Sequence, residues 1–226
     1  MIHTVIINTS QFSQAVKDAT FYISKERYAV EAMSHVLLTC LPAENRLAVT
    51  GCDGHGYYER RLALFHGEND PKPSLPGEKQ QLCISEKDAA MLVKFIGGRT
   101  LGCITLRLDD GQKDEGRYLV TVTMPDDSAT SFFSRADLEV PEYSGFVRKA
   151  EASKEQAPEL CNVNMPVHEM IRAGKVFPKK SGSTVRMFTS PGYRGGHMAL
   201  LEYRDACADV DIRVIFMFAL AEAEAA

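Results

Sequence analysis

The sequence lacks any apolar run long enough to cross a bilayer, and its first residues lack the features of a secretory leader. A membrane-spanning helix needs about 20 consecutive apolar residues. The opening MIHTVIINTSQF has neither a cationic segment nor a small-residue cleavage site. We therefore expect a cytoplasmic protein with no membrane partner.

The six cysteines contain no CxxC pair, and the six histidines are scattered without the spacing of metal ligands. Most of the cysteines lie inside apolar runs, which favours buried, reduced thiols over a disulfide framework or a zinc site. The sequence therefore predicts no metal and no cofactor.

Motifs of common catalytic sites are missing as well, since there is no HExxH, no GxxxxGK[ST] and no GxSxG. Cys52, Asp53 and His55 are close enough in sequence to be considered as a nucleophile cluster. However, adjacent positions of a strand point to opposite faces, so Cys52 and Asp53 should diverge if the strand continues that far. We therefore predict that the chain is not an enzyme.

An excess of positive charge is also missing. The 226 residues include 26 Lys or Arg against 30 Asp or Glu, for a net charge of -4. Binding to phosphates through counterion release needs many Lys and Arg on one surface. The charge of the whole chain therefore argues against a basic-tailed nucleic-acid binder.

What the sequence does contain is a unit that recurs three times: a strand, a helix and three more strands. Helix-period patterns begin near residues 9, 85 and 165. Polar starters at Thr9 and Ser10, the spacing of Ser85 to Asp88, and Pro166 support these starts. The predicted strands are 2–8, 35–41, 46–52, 58–65, 81–84, 101–108, 117–124, 128–134, 160–164, 184–189, 197–203 and 211–218.

Two connectors divide the chain. We predict one complete domain at 1–147, built of modules 1–65 and 80–135 with a connector at 66–79, then a linker at 148–158, a half-domain at 159–220 and a flexible tail at 221–226. Paired helices on one side of antiparallel sheet would give an α+β fold.

Several segments resemble the bacterial sliding clamp family, the DNA polymerase III beta subunit. RLAVTGCDGHGYYERRL at 46–62 is similar to the family's T-D-G-H-R-L signature, although Gly56 and Tyr57 replace its Arg-Leu. ADLEVPEYSGF at 136–146 is similar to the segment that closes the family's middle domain. NVNMPVHEMIRAGKVF, TVRMFT and VIFMFAL, at 162–177, 184–189 and 214–220, are similar to segments of its last domain.

This resemblance implies a DNA-clamp-like fold of β-α-β-β-β modules, in which 1–147 looks like the middle domain and 159–220 like the second half of the last domain. It also implies a ring whose helices line a hole for duplex DNA. A sliding ring needs a diffuse positive lining for phosphates rather than base contacts. The segments 9–27, 85–99 and 165–180 hold five more Lys and Arg than Asp and Glu. The predicted DNA-lining residues are Lys17, Lys25, Arg27, Lys87, Lys94, Arg99, Arg172, Lys175, Lys179 and Lys180.

In the family, partners insert a short peptide with apolar anchors into a cleft between the middle and last domains. A few buried contacts supply most of the affinity in such sites. Carried over position by position, the predicted cleft residues are Met33, Cys52, Gly54, His55, Tyr57, Val214, Phe216, Met217 and Phe218.

The sequence thus predicts a sliding-clamp-like processivity factor that encircles duplex DNA, independently of DNA sequence, and tethers a DNA polymerase. A clamp loader is a further candidate partner. Three modules cannot all pair within one chain, and one chain of this size cannot close around a duplex, so we expect a homo-oligomer. The alternative is a clamp-like interaction module that does not encircle DNA and acts as an adaptor or decoy for clamp-binding proteins.

Overall fold

The computed structural model describes residues 2–25, 30–67, 72–99, 101–114, 117–136, 138–139, 147–148, 152, 167–179, 184–191, 196–205 and 210–219. Four sequence-based predictions therefore lie wholly or mostly outside the described residues. They are the strand at 160–164, the tail at 221–226, the linker at 148–158 apart from residues 148 and 152, and the lining positions Arg27 and Lys180.

The described elements are grouped here by the modules that the sequence predicts. Module 1 contains β1 (Ile2–Asn8), α1 (Thr9–Ala19), β2 (His35–Leu41), β3 (Arg46–Cys52) and β4 (Gly56–Phe65), with short 3-10 helices at Glu31–Ser34 and Pro42–Glu44. Module 2 contains β5 (Gln81–Ser85), α2 (Glu86–Ile96), β6 (Cys103–Asp114), β7 (Arg117–Thr123) and β8 (Ala129–Arg135). Module 3 contains α3 (Val167–Val176), β9 (Arg186–Pro191), β10 (Gly196–Asp205) and β11 (Val210–Ala219). The predicted α+β fold is confirmed.

Local signals fix the helix ends. The Asn8 side chain accepts a hydrogen bond from the Gln11 amide at 3.0 Å, and the Ser85 hydroxyl accepts one from the Asp88 amide at 3.2 Å. Each bond satisfies an amide that the helix itself leaves without a partner. α2 ends at Gly97, whose φ of 58° favours glycine. No helix within the described part of the chain is long and apolar enough to span a membrane.

Two exchanged strands join modules 1 and 2 into a closed sheet. β1 pairs with β6 of module 2, and β5 pairs with β2 of module 1. β1 also pairs with β4, and β5 with β8. The strand order β1-β6-β7-β8-β5-β2-β3-β4 therefore returns to β1. The two modules contact each other symmetrically: the β1–β6 pairing corresponds to β5–β2, and β1–β4 corresponds to β5–β8. The helices α1 and α2 also pack against each other.

Module 3 extends this sheet from β4. The first part of β4 pairs with β11, from Gly56↔Phe216 to Arg61↔Asp211, whereas its end pairs with β1 at Leu64 and Phe65. β10 and β9 then follow β11. All of the pairings between described strands are antiparallel.

One main core lies between the helices and the sheet. It combines buried side chains of α1, α2 and α3 with residues of strands from all three modules, including Tyr58, Val214 and Phe216. The three helices therefore cover the same side of the sheet, which we call the helix face. A second, smaller apolar cluster, formed by Cys52, Tyr57, Met198, Leu200 and Ile215, lies on the opposite side, which we call the outer face.

Candidate functional site

The turn between β3 and β4 carries the Asp53-Gly54-His55 sequence of the family signature. The Asp53 carboxylate accepts hydrogen bonds from the amides of His55 at 2.9 Å and Gly56 at 2.7 Å. Gly54 has a φ of 90°, a conformation that side chains disfavour. Asp53 and Gly54 therefore shape the turn, and His55 is left exposed at its tip.

Arg172 of α3 ties this turn to module 3. Its guanidinium contacts Asp53 Oδ2 at 2.5 Å and Glu169 Oε1 at 3.2 Å, and its Nε donates to the Phe21 carbonyl at 2.7 Å. The same group lies 4.1 Å from the ring centroid of Tyr22. Sequence reasoning placed Arg172 in the DNA lining; in the structure it joins α3 to module 1.

Register places the predicted cleft residues on both faces of the sheet. Tyr57 lies directly opposite Ile215 on the outer face, and Cys52 belongs to the same apolar cluster. Val214 and Phe216, one position to either side of Ile215, are fully buried in the core of the helix face. The strands β4 and β11 are hydrogen-bonded neighbours, so no opening separates these two groups of residues.

Three predicted cleft residues meet at the β3–β4 turn. Met33 is half-buried, and its sulfur would lie 3.9 Å from a β-carbon built on Gly54. Exposed His55 follows Gly54 in the same turn. Met217 and Phe218 pair in register with Met198 and His197, and their side chains lie outside the described part of the structure. Among the predicted cleft residues whose side chains the structure describes, those at the turn are the accessible ones.

A ladder of charged side chains, which sequence reasoning missed, crosses the outer face. Glu59, Arg213 and Glu202 are successive cross-strand partners on β4, β11 and β10. Arg213 lies 3.6 Å from both carboxylates, and all three residues are at most 7% exposed. The Tyr57 hydroxyl donates to Glu59 at 2.7 Å. Each of these charged residues lies in a predicted strand, so the sequence contained a signal for a charged ladder. Only the order of the strands in the sheet shows that the three residues are neighbours.

The predicted lining cations divide into two groups. The helices themselves carry Lys17, Lys87, Lys94, Arg172 and Lys175 as Lys or Arg, against Asp18, Glu86, Asp88 and Glu169. Four of the predicted lining residues are exposed on the helices themselves: Lys17, Lys87, Lys94 and Lys175. Three others are also exposed but lie beyond the ends of the helices: Lys25, Arg99 and Lys179. Lys25 lies 3.6 Å from Glu86, and Arg99 lies 3.6 Å from Asp126. The observed helices are therefore less basic than the longer segments in which the sequence count was made.

A buried acid on α1 was also missed. Asp18 is 1% exposed and accepts a hydrogen bond from Gln14 at 2.7 Å. Burial raises the pKa of Asp18 from 3.8 to about 7, and the hydrogen bond from Gln14 and the charge of nearby Arg60 only partly oppose this. Arg60 and Gln14 also line a cavity of about 270 Å³ between α1, α3 and the sheet.

The residues considered as a nucleophile cluster are engaged elsewhere. Cys52 is 8% exposed within the outer apolar cluster, and the Asp53 carboxylate is bound by Arg172 and the turn amides. In this arrangement Asp53 orients the turn and α3.

No family model and no curated protein matches the sequence. Solved structures do match it. The DNA polymerase sliding clamp from Bacillus subtilis superposes with a TM-score of 0.60 at 15% identity, covering 97% of this chain and 65% of that one. The H. pylori beta clamp gives 0.60 at 10% identity, with 97% and 66% covered.

The beta subunit of DNA polymerase from Streptococcus pyogenes gives a TM-score of 0.54 at 14% identity, with 96% and 65% covered. The chain thus spans 65–66% of the length of these clamps. At such identities the likeness establishes the fold, and it agrees with the resemblance inferred from the β3–β4 turn and the terminal strand. The chain has the fold of the bacterial DNA polymerase III beta sliding clamps.

Proposed function

We propose that this protein is a sliding-clamp-like processivity factor, which acts in the cytoplasm as an oligomer that encircles duplex DNA and tethers a polymerase. The observation that carries the proposal is a clamp fold over 97% of the chain, with three helices on one side of a continuous sheet. A tether needs no catalytic group, so we propose a non-enzymatic role. DNA, a polymerase and a clamp loader are the proposed partners.

The proposed DNA contact is the helix face. Lys17, Lys87, Lys94 and Lys175 are exposed and belong to the three helices that cover this side. Flexible lysines can follow phosphates without reading bases, as a sliding protein requires. This surface has too few cations to bind DNA tightly without surrounding it. The protein is therefore better held on DNA by encircling it than by the strength of its phosphate contacts.

If the protein encircles DNA, whether it stays on a linear duplex should depend on whether the ends of that duplex are blocked. Protein threaded onto linear duplex, whose biotinylated ends are then blocked with streptavidin, should survive a wash in high salt and should leave once a restriction enzyme cuts the duplex. Threading onto open ends removes the need for a loader. Equal loss from blocked and unblocked DNA would contradict encirclement and favour the adaptor or decoy function.

The proposed peptide site includes the β3–β4 turn. His55→Ala should weaken binding of a C-terminal tail peptide of the host polymerase by about 10-fold or more, because His55 is the exposed residue that follows Gly54, where the turn approaches the half-buried Met33. Fluorescence anisotropy would measure this. His66→Ala is the matched control, since His66 is exposed just after the far end of β4. An unchanged dissociation constant for His55→Ala would remove the turn from the site.

A further inference from the structure

A cavity of about 270 Å³ lies where module 3 meets module 1, and we call it the seam cavity. Module 1 contributes Gln14 of α1 and Arg60 of β4 to its lining. Module 3 contributes residues from the end of α3, from β10 and from β11. A cavity of about 150 Å³ can hold benzene. The seam cavity therefore has room for an aromatic ring and several further atoms.

Arg60 occupies a strand position whose neighbours are apolar. Side chains alternate along β4, so Arg60 lies on the helix face with Tyr58 and Leu62, which are both fully buried in the main core. Its cross-strand neighbours, Val49 and Ile212, also belong to this core. Arg60 itself is only 7% exposed. Because a charge taken out of water is costly unless another group binds it, this cation needs a binding partner.

One nitrogen of Arg60 has no such partner in the described part of the chain, where no group accepts a hydrogen bond from its Nε. Asp18 is a nearby acid, but burial raises its pKa to about 7. At lower pH Asp18 therefore keeps its proton and does not neutralise the charge of Arg60. By contrast, buried Arg213 on the outer face lies 3.6 Å from two carboxylates. Arg60 is thus a buried donor that a bound anion can reach through the seam cavity.

The rest of the lining fits an anion with an apolar body. Lys175 of α3 is exposed and lines the cavity as a second cation. Asp205 is the acid among the described lining residues, and it accepts a hydrogen bond from the Tyr203 hydroxyl at 3.5 Å. Two cations and one carboxylate give the lining a net charge of +1. The apolar wall of the cavity consists of Val176, Phe177, Pro178, Val210 and Ile212.

We propose that the seam cavity binds a small aromatic carboxylate, whose charged group contacts Arg60 and whose ring packs against the apolar wall. A carboxylate matches the net charge of the lining and offers acceptor oxygens to the Arg60 guanidinium. An inorganic anion leaves the apolar wall without a partner, and a neutral apolar molecule leaves Arg60 Nε unbonded.

A molecule in the seam cavity contacts both modules, since Arg60 belongs to module 1 and most of the apolar wall belongs to module 3. Its binding therefore stabilises the attachment of module 3 to the complete domain. This site goes beyond the proposed function, because its ligand is neither DNA nor a partner peptide.

Titration of the full chain with hydrocinnamate, below the pKa of Asp18 and followed by NMR of the arginine side-chain N–H groups, tests the proposal. We expect saturable binding and a shift of the Arg60 Nε–H signal, because this group gains a hydrogen bond. The neutral analogue hydrocinnamyl alcohol should bind at least about 10-fold more weakly, since hydrogen bonds between charged groups are the stronger ones. Arg60→Met should remove this preference for the acid, and methionine suits a position with apolar neighbours.

Val210→Trp tests the place of binding while leaving Arg60 unchanged. Val210 is half-buried in the cavity lining, so a larger side chain can fill the space. We expect the affinity for hydrocinnamate to fall by at least about 10-fold. Val30→Trp is the matched control, since Val30 is 50% exposed and is not among the residues that line the cavity. Circular dichroism should show folded protein for each variant.

Four other results would each overturn the proposal. Equal affinity for the acid and the alcohol would show that Arg60 does not select an anion. Binding that survives Val210→Trp would place the ligand elsewhere. Displacement of hydrocinnamate by an equal concentration of inorganic phosphate would assign the cavity to phosphate. Absence of saturable binding at about 10 mM hydrocinnamate would leave the cavity to water.

Discussion

Replacing Gly51 with alanine will lower the free energy of unfolding by about 3 kcal/mol. Gly51 lies in β3, where the sheet passes directly beneath the end of α1. A β-carbon at this position would overlap the carbonyl oxygen of Ala19 and lie 3.1 Å from the β-carbon of Tyr22. Since the obstacle is backbone, α1 or β3 must shift as a whole.

The measurement is urea denaturation followed by circular dichroism, with Gly98→Ala as the matched control. A β-carbon on Gly98 would meet nothing within 4 Å. That substitution should change the unfolding free energy by no more than about 0.5 kcal/mol. If the two variants unfold at the same urea concentration, the close approach of β3 to α1 is not a constraint on the fold.

Asp18→Asn will stabilise the protein at pH 8 by roughly 4 kcal/mol. Burial raises the pKa of Asp18 to about 7 in the folded chain, against 3.8 for the ordinary group. The folded state therefore keeps a proton that the unfolded state loses between these two values. Stability falls as the pH rises from about 4 to about 7, and the loss is complete above that range. Asparagine keeps the oxygen that accepts from Gln14 and removes the titration.

Thermal unfolding at pH 4 and pH 8 checks this expectation. The wild type and Asp18→Asn should unfold at similar temperatures at pH 4 and diverge at pH 8. Asp127→Asn makes the same change of formal charge on an exposed turn, and it should follow the wild type. Parallel curves for all three proteins would show that Asp18 titrates as an ordinary carboxylate.

Local patterns were sufficient to predict the elements. Short apolar runs bounded by turn residues located β1, β2 and β3 to the residue, and the Ser85–Asp88 spacing marked the start of α2. The end of α1 was not predicted: the first basic segment was counted from residue 9 to residue 27, whereas α1 ends at Ala19. The chain turns there, and the Tyr22 amide donates to the Ala19 carbonyl. Ile23 fits the helix period but is buried after the helix has ended, because tertiary packing also buries apolar residues outside helices.

Long-range register is what the sequence could not supply. The pairing of Tyr57 with Ile215 assigns Cys52 and Tyr57 to one face and Val214 and Phe216 to the other. A shift of one residue would exchange the faces of every β11 side chain. The Asp53–Arg172 contact and the neighbouring pair Asp18 and Arg60 depend on the same long-range arrangement, and no local pattern announces either.

The position of β4 also has a consequence for synthesis of the chain. The amino-terminal part of β4, Gly56 to Arg61, is made early, whereas its partner β11 begins at Val210. At 5–20 residues per second, translation leaves this strand edge without its partner for roughly 10–30 s. An uncovered edge invites pairing with other nascent chains.

Charged residues protect such an edge. Glu59, Arg60 and Arg61 are consecutive in the part of β4 that waits for β11. Charge on a waiting edge disfavours intermolecular pairing. In the finished protein, Glu59 lies 3.6 Å from Arg213 of β11. The Glu59 side chain can therefore disfavour pairing of β4 with other nascent chains during synthesis and then form an ion pair with β11 in the finished protein.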